Sequence, residues 1–349
     1  TMEQPVKVLV VDDSRTIRSL IRRSFEKYPQ IIICGEAANP IEARDLIIKD
    51  QPDVITLDVE MPGMNGLQFL EKIMRLRPIP VVMVSALTAR GAETAITALQ
   101  MGAFDCFPKP VSVMGADAFA GLARLVIQAA HSCPKARADA TQGLQAAVHH
   151  GPERAWVRAF DLVAIGSSTG GVEALEQVLS GFPRQSPPIV ICQHMPALFT
   201  ASFANRLDQK LAPLSIAEGK DGEVLSPGDV RIAPGGERHM VVERRDGHYM
   251  TRLLSRPPVN GHCPSVDMLF DSVAEAVGRE ALGIILTGMG QDGAEGLLAM
   301  RRAGAQTIAQ DKASSVVYGM PRVAAEIGAA EHIVPLNQIA TAAMAIRAH

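Results

Sequence analysis

The chain has 349 residues, 34 basic and 37 acidic, with a formal charge of −3, 47% hydrophobic and 20% charged side chains. It is therefore globular, too long for one ordinary core, and at about 150 residues per domain is expected to form two. The charge balance leaves no basic footprint for nucleic acid or an anionic membrane surface, and the five cysteines lack CxxC spacing, as unpaired thiols in a reducing compartment do. Met2 leads through one short apolar run straight into Asp12-Asp13, with no signal-peptide pattern, and no later stretch suits a bilayer. A cytoplasmic location without direct membrane insertion is expected.

From 6 to about 128, short β-branched runs alternate with amphipathic stretches. The runs are VKVLVV (6–11), IIICG (31–35), DVITLD (53–58), VVMVSA (81–86) and AFDCF (103–107), with helical patterns at about 15–28, 40–50, 66–75, 89–101 and 117–130. Five βα units predict a doubly wound, flavodoxin-like parallel sheet whose site lies at the carboxyl ends of its strands. The stretch 131–157 is polar, rich in small residues and aperiodic, and reads as a linker. Alternation then resumes with LVAIG (162–166), IVICQ (189–193), short strands at 214–217, 229–233, 240–243 and 249–254, then LGIILTG (282–288), QTIAQ (306–310) and HIVPL (332–336). Helical patterns fall at 171–180, 265–277, 293–303, 316–327 and 337–347. This predicts a second, Rossmann-like α/β domain, and the expected division is 2–130, 131–157 and 158–349.

In the first domain Asp12 and Asp13 end the first strand and Asp58 ends the third. In a 2-1-3-4-5 sheet these strands are neighbours, so the three carboxylates converge. Like charges so close repel, and a hard divalent cation such as Mg²⁺ relieves the repulsion while binding phosphate oxygens. Ser85 ends the fourth strand, where a hydroxyl can meet a phosphoryl oxygen, and Lys109 follows the fifth with a fixed positive charge. The pattern suits an aspartyl-phosphate acceptor with Asp58 as the attacking group. Taken singly, Asp13 or Ser14 is as well explained by helix capping.

The stretches VLVVDDSR (8–15), ITLDVEMPGMNGLQFL (55–70), VMVSA (82–86) and KP (109–110) resemble the response-regulator receiver domain. The resemblance implies phosphorylation of Asp58 by a histidine kinase, with Asp12, Asp13, Asp58 and the Glu60 carbonyl as Mg²⁺ ligands. It departs from the family at Cys106, where receivers usually carry an aromatic residue of their switch.

The second domain opens with LVAIGSSTGGVEA (162–174), an apolar run, a tight glycine turn and a helical pattern. GSSTGG fails the GxGxxG spacing and has no P-loop lysine, but it satisfies G-x-S-x-G with Ser168 in the nucleophile position. IVICQHMP delivers His194, and LGIILTG running into MetGlyGlnAspGly delivers Asp292. Serine, histidine and aspartate thus all fall at carboxyl ends of expected parallel strands, which suits nucleophilic catalysis. Alone, His194 is as easily a satisfied strand-end histidine, and Asp292 a helix N-cap. A competing reading makes the second domain a dinucleotide- or protein-binding output whose glycines hold a pyrophosphate. It gives His194 and Asp292 no role, and no acidic residue is clearly placed about 20 residues on for a ribose hydroxyl.

AIGSSTGG (164–171), QHMP (193–196), APGG (233–236), PPVNGHCPSVD (257–267), ILTGMGQDGAEGL (285–297), IAQD (308–311) and GMP (319–321) resemble the chemotaxis protein-glutamate methylesterases of the CheB family. The resemblance implies a phosphorylation-activated serine esterase and glutamine deamidase acting on chemotaxis receptors, with a histidine kinase as phosphodonor. It assigns Ser168, His194 and Asp292 to the triad and the Met289 N–H to the oxyanion hole, with no cofactor for hydrolysis. Ser167 stands where the familiar motif has alanine, placing a second hydroxyl beside the nucleophile.

Overall fold

The computed structural model describes residues 4–61, 65–110, 118–132 and 160–346. Contacts group into two compact units, Thr1–Ser132 and Cys133–His349. The expected linker lies outside the described residues from 133 onward. Among the described residues no helix is long and apolar enough to cross a membrane.

In the first unit β1 (Val6–Val11), β2 (Ile31–Ala37), β3 (Val54–Asp58), β4 (Val81–Ser85) and β5 (Asp105–Pro108) alternate with α1 (Arg15–Phe25), α2 (Pro40–Asp50), α3 (Gly66–Leu76), α4 (Ala89–Gln100) and α5 (Ala120–His131). The strands pair in parallel in the order β2-β1-β3-β4-β5. Their apolar runs are nearly continuous because a parallel sheet is covered on both faces. The helices start where side chains can replace the missing backbone acceptors: Ser14, Asn39, Asn65 and Thr88 each accept a first-turn N–H. Ser14, not Asp13, caps α1. The turns so fixed leave Asp12, Asp13, Asp58 and Ser85 on the carboxyl edge of the sheet.

The second unit is built on a parallel sheet of β6 (Leu162–Ser167), β7 (Ile189–Gln193), β8 (Ser215–Glu218), β10 (Asp229–Ile232), β13 (Ala281–Ile285), β14 (Gln306–Gln310) and β15 (His332–Val334). Their order is β15-β14-β13-β6-β7-β10-β8. The chain fills one side of β6 and then crosses to β13 on the other, which puts the switch point at the β6/β13 edge. The strands β9 (Glu223–Val224), β11 (His239–Arg245) and β12 (His248–Leu254), which fall between β8 and β13 in the chain, form a separate antiparallel sheet, β11-β12-β9.

The helices are α6 (Gly171–Ser180), α7 (Phe199–Lys210), α8 (Val266–Ala276), α9 (Ala294–Arg302), α10 (Met320–Glu326) and α11 (Ile339–Ala345). The pattern reading did not anticipate α7, although its buried Phe199, Phe203 and Leu207 recur every fourth residue. A core cluster joins Leu162 and Val190 of the sheet to Val266 and Phe270 of α8, Leu297 and Met300 of α9 and Met320 of α10. Full burial of each such side chain contributes about 1.5–3 kcal/mol. Gly166 makes this packing possible, since a Cβ there would lie 2.3 Å from Val266 Cγ1. With α8 seated directly on β6, the start of α8 lies at the strand ends, and that positions the site.

Candidate functional site

At the edge of the first sheet the acid cluster is compact. Ligand oxygens of Asp12, Asp13 and Asp58 all lie within 4.8 Å of one another. Lys109 Nζ stands 2.9 Å from Asp58 Oδ2 and 3.0 Å from Asp12 Oδ2. Asp58 Oδ1 also accepts the Glu60 N–H at 3.2 Å. Burial and the Asp12 charge push the Asp58 carboxyl up to about 6, against the opposing pull of Lys109 and the Glu60 N–H. Buried Asp12 Oδ2 has the Lys109 ammonium at 3.0 Å and no further hydrogen-bond donor among the described residues. Such an oxygen suits a hard cation. Beside the cluster is a cleft of about 350 Å³ lined by Asp13, Glu60, Asn65 and Arg90, among others. The fully buried Ser85 hydroxyl donates to the Gly91 carbonyl at 3.1 Å and so faces α4. Cys106 pairs with Met83 in the β5/β4 register, and burial pushes its thiol well above the ordinary value.

At the edge of the second sheet, register brings the next group together. Ser167 of β6 pairs with Gln193 of β7, so Ser168 and His194 are the next residues off two adjacent strands. From β6's other neighbour, β13, the chain runs on to Asp292, whose Oδ2 accepts from His194 Nε2 at 2.7 Å. The second ring nitrogen, Nδ1, is buried and has no hydrogen-bond partner. The imidazole is thus held by one nitrogen and leaves the other as a base. No hydrogen bond yet joins it to Ser168, a contact that in free enzymes often closes only around substrate.

Asp292 is 1% exposed, and burial alone would raise its pKa. Hydrogen bonds from His194, Ser265 Oγ (2.7 Å) and the Val266 N–H (2.7 Å) instead hold it well below the ordinary carboxylate range. The Asp267 N–H (3.2 Å) and Asn260 Nδ2 (3.3 Å) complete the set. Asp292 does not cap α9, the helix that follows it, but takes the free N–H groups of Val266 and Asp267 at the start of α8. Asp267 does that work for α9, accepting the Gly293 and Gly296 N–H groups at 2.9 and 2.7 Å. Asp292 is therefore an ionised acceptor turned towards His194.

The two serines of the turn separate clearly. Ser167 is fully buried and donates to Gln193 Oε1 at 2.5 Å, while Gln193 Nε2 donates to the Ser168 carbonyl at 2.9 Å. Ser168 is half-buried, and its N–H donates to the Thr287 carbonyl at 3.0 Å. Gly288 follows so closely that a Cβ on it would lie 2.8 Å from Ser168 Cβ. The adjacent Met289 N–H donates to no backbone carbonyl among the described residues. Such a donor beside a nucleophile is what an oxyanion requires.

Sequence reasoning gave no role to Gln193, Asn260, His262, Ser265, Asp267 or Thr287. All stand inside quoted motifs, so the signal was present. Their partners are remote in sequence, however, and the pairings could not be read from spacing.

A family model described as CheB methylesterase matches residues 163–343, and one described as response regulator receiver domain matches residues 8–115. The chain is 54% identical over 336 residues to the protein-glutamate methylesterase/protein-glutamine glutaminase 1 of Caulobacter vibrioides, covering 96% of each. It is 53% identical over 338 residues to the protein-glutamate methylesterase/protein-glutamine glutaminase of Agrobacterium fabrum, covering 97% of this chain and 95% of that one. Among solved structures, the CheB methylesterase catalytic domain of Thermotoga maritima matches with a TM-score of 0.52 and 37% identity, covering 53% of this chain and 98% of that one.

Proposed function

The chain belongs to the CheB methylesterase family and carries a response-regulator receiver domain, and from that premise we propose that Ser168, His194 and Asp292 are the triad of its phosphorylation-activated esterase. The substrates are glutamyl γ-methyl esters on chemotaxis receptors. Ser168 Oγ attacks the ester carbonyl while His194 Nδ1 takes its proton, and Asp292 fixes the imidazole through Nε2 and balances its positive charge. The tetrahedral oxyanion receives the Met289 N–H, a donor of a kind worth about 2.7–4 kcal/mol. The C–O bond to the methoxy group breaks, His194 returns the proton, and methanol leaves. Water, deprotonated by His194, then attacks the acyl-serine carbonyl, the C–O bond to Ser168 Oγ breaks, His194 returns the proton to that oxygen, and the receptor side chain is left as a glutamyl carboxylate. Deamidation of receptor glutamines follows the same steps with ammonia as leaving group.

Control enters through Asp58, whose carboxylate attacks the phosphorus of a phosphorylated histidine kinase. Asp12, Asp13, Asp58 and the Glu60 carbonyl are the residues to hold Mg²⁺, and the converging carboxylate oxygens, with Asp12 Oδ2 buried and faced by no donor but Lys109 among the described residues, fit that role. Bound there, Mg²⁺ neutralises charge on the transferring phosphoryl oxygens. Lys109 contributes a second positive charge, placed 2.9 Å from Asp58. A contact from Ser85 to the phosphoryl group requires its hydroxyl to leave Gly91.

The observation that carries this reading is the His194–Asp292 hydrogen bond with Nδ1 left free beside the Ser168 turn. Methanol release from methylated receptor tests it. Release should rise with a small-molecule phosphodonor and Mg²⁺, and vanish in Ser168→Ala. A Ser168→Ala variant that still releases methanol would overturn the assignment.

A further inference from the structure

His194 is held at its edge by Asp292, and its face is also covered. The His262 ring lies parallel to it, 3.8 Å between centroids and 3° between planes. Two neutral aromatic rings prefer an offset or edge-on arrangement at larger separation. A face-to-face pair this close becomes favourable when one ring is cationic and the other presents its π cloud. The proposed mechanism creates such a cation, because His194 becomes imidazolium each time it takes the Ser168 proton.

The loop that carries His262 is built to hold the ring there. Val259 and His262 exchange backbone hydrogen bonds at 3.0 and 2.9 Å, closing a turn through Asn260 and Gly261, which both have positive φ. Asn260 ties the turn to Asp267 at 2.7 Å and to Asp292 at 3.3 Å. Further along, the Ser265 N–H donates to Nδ1 of the fully buried His239, whose Nε2 pairs with the Pro257 carbonyl at 3.0 Å. The loop is therefore fastened at both ends, and its middle is anchored to the carboxylate that holds the His194 edge.

We infer that His262 is a positioning residue: its ring face fixes the plane of His194 and stabilises the imidazolium that forms in the transition state, without touching substrate. This rests on the triad assignment above. An interaction that strengthens only as charge develops lowers the barrier and leaves substrate binding alone. The effect should therefore fall on kcat and spare KM.

The test is methanol release from methylated receptor by the full-length protein, phosphorylated with Mg²⁺ and a phosphodonor. His262→Ala should lose about tenfold in kcat with KM within twofold. His262→Phe keeps a π face without ring nitrogens and should recover most of the loss. Circular dichroism and thermal melts of both variants check that the fold is kept. Full activity in both variants overturns the inference. Equal loss in Ala and Phe also overturns it, because a ring nitrogen and not the ring face would then be needed. Ser168→Ala runs alongside: activity there sinks the triad itself, whereas a dead Ser168→Ala with an unaffected His262→Ala sinks only the stacking role.

Discussion

Replacing Asp292 with asparagine asks whether the carboxylate orients His194, charges it, or both. Five donors converge on this side chain: His194 and the Val266 N–H on Oδ2, and Ser265, the Asp267 N–H and Asn260 on Oδ1. An amide oxygen can serve only one side. Placed at Oδ2, it keeps the two 2.7 Å bonds from His194 and Val266. Its NH₂ then meets Ser265, whose hydroxyl can rotate to accept, and the two longest contacts, at 3.2 and 3.3 Å. The reverse placement sets NH₂ against the fixed Val266 N–H at 2.7 Å and forces the proton of His194 onto Nδ1, removing the base. The first placement costs less, so the variant should keep the tautomer and lose only the charge. An ion pair about 4 Å apart at an effective dielectric of about 20 is worth ~4 kcal/mol. A neutral hydrogen bond retains about 1 kcal/mol of it. The net ~3 kcal/mol is a fall of roughly 10²-fold in kcat. Steady-state methanol release from methylated receptor measures it. A loss near 10⁴-fold in a folded variant, the size expected when the tautomer inverts, would refute the orientation argument, and a loss under threefold would refute the charge argument.

Ser167→Ala should retain most of the esterase activity but lower stability by about 1–3 kcal/mol, because Gln193 Oε1 loses its buried donor; chemical denaturation beside the activity assay checks both. Gly288→Ala should cut kcat at least tenfold, since its Cβ would come 2.3 Å from Met320 Sδ and 2.8 Å from Ser168 Cβ; wild-type turnover would show that the turn can yield. In metal-free protein Asp58→Asn should stabilise the receiver unit in a pH-dependent way. The folded carboxyl titrates at about 6 against an ordinary 3.8, so the folded state holds the proton more tightly. That contribution is full below the ordinary value and is lost as pH rises through about 6. The variant's advantage should grow by about 2.4 kcal/mol between pH 4 and pH 7, read as the shift of the receiver's unfolding transition in EDTA; a gap that does not change with pH would count against the buried, repelled carboxylate.

Much of this molecule follows from local pattern. The strand runs that end in Asp12, Asp58 and Ser85 alternate with capped helices at a spacing that admits little besides a doubly wound sheet, and the carboxyl-edge rule then gathers the carboxylates. The G-x-S-x-G register selects Ser168 in the same way, from four neighbouring residues. Sequence could not say which of two adjacent hydroxyls is consumed by the interior, because Ser167 finds Gln193 only through the β6/β7 register. Nor could it say which helix each of two aspartates serves: Asp267, in the first turn of α8, caps α9, while Asp292, ahead of α9, takes the first N–H groups of α8 and faces His194, an exchange created by α8 lying on β6 over Gly166. The helix α7 carried a legible period, whereas the stacking of His262 on His194 carried none. Propensity and periodicity are set by residues within a turn or two of one another. The protonation and orientation of a catalytic group are set by donors and ring faces that meet only when remote segments pack.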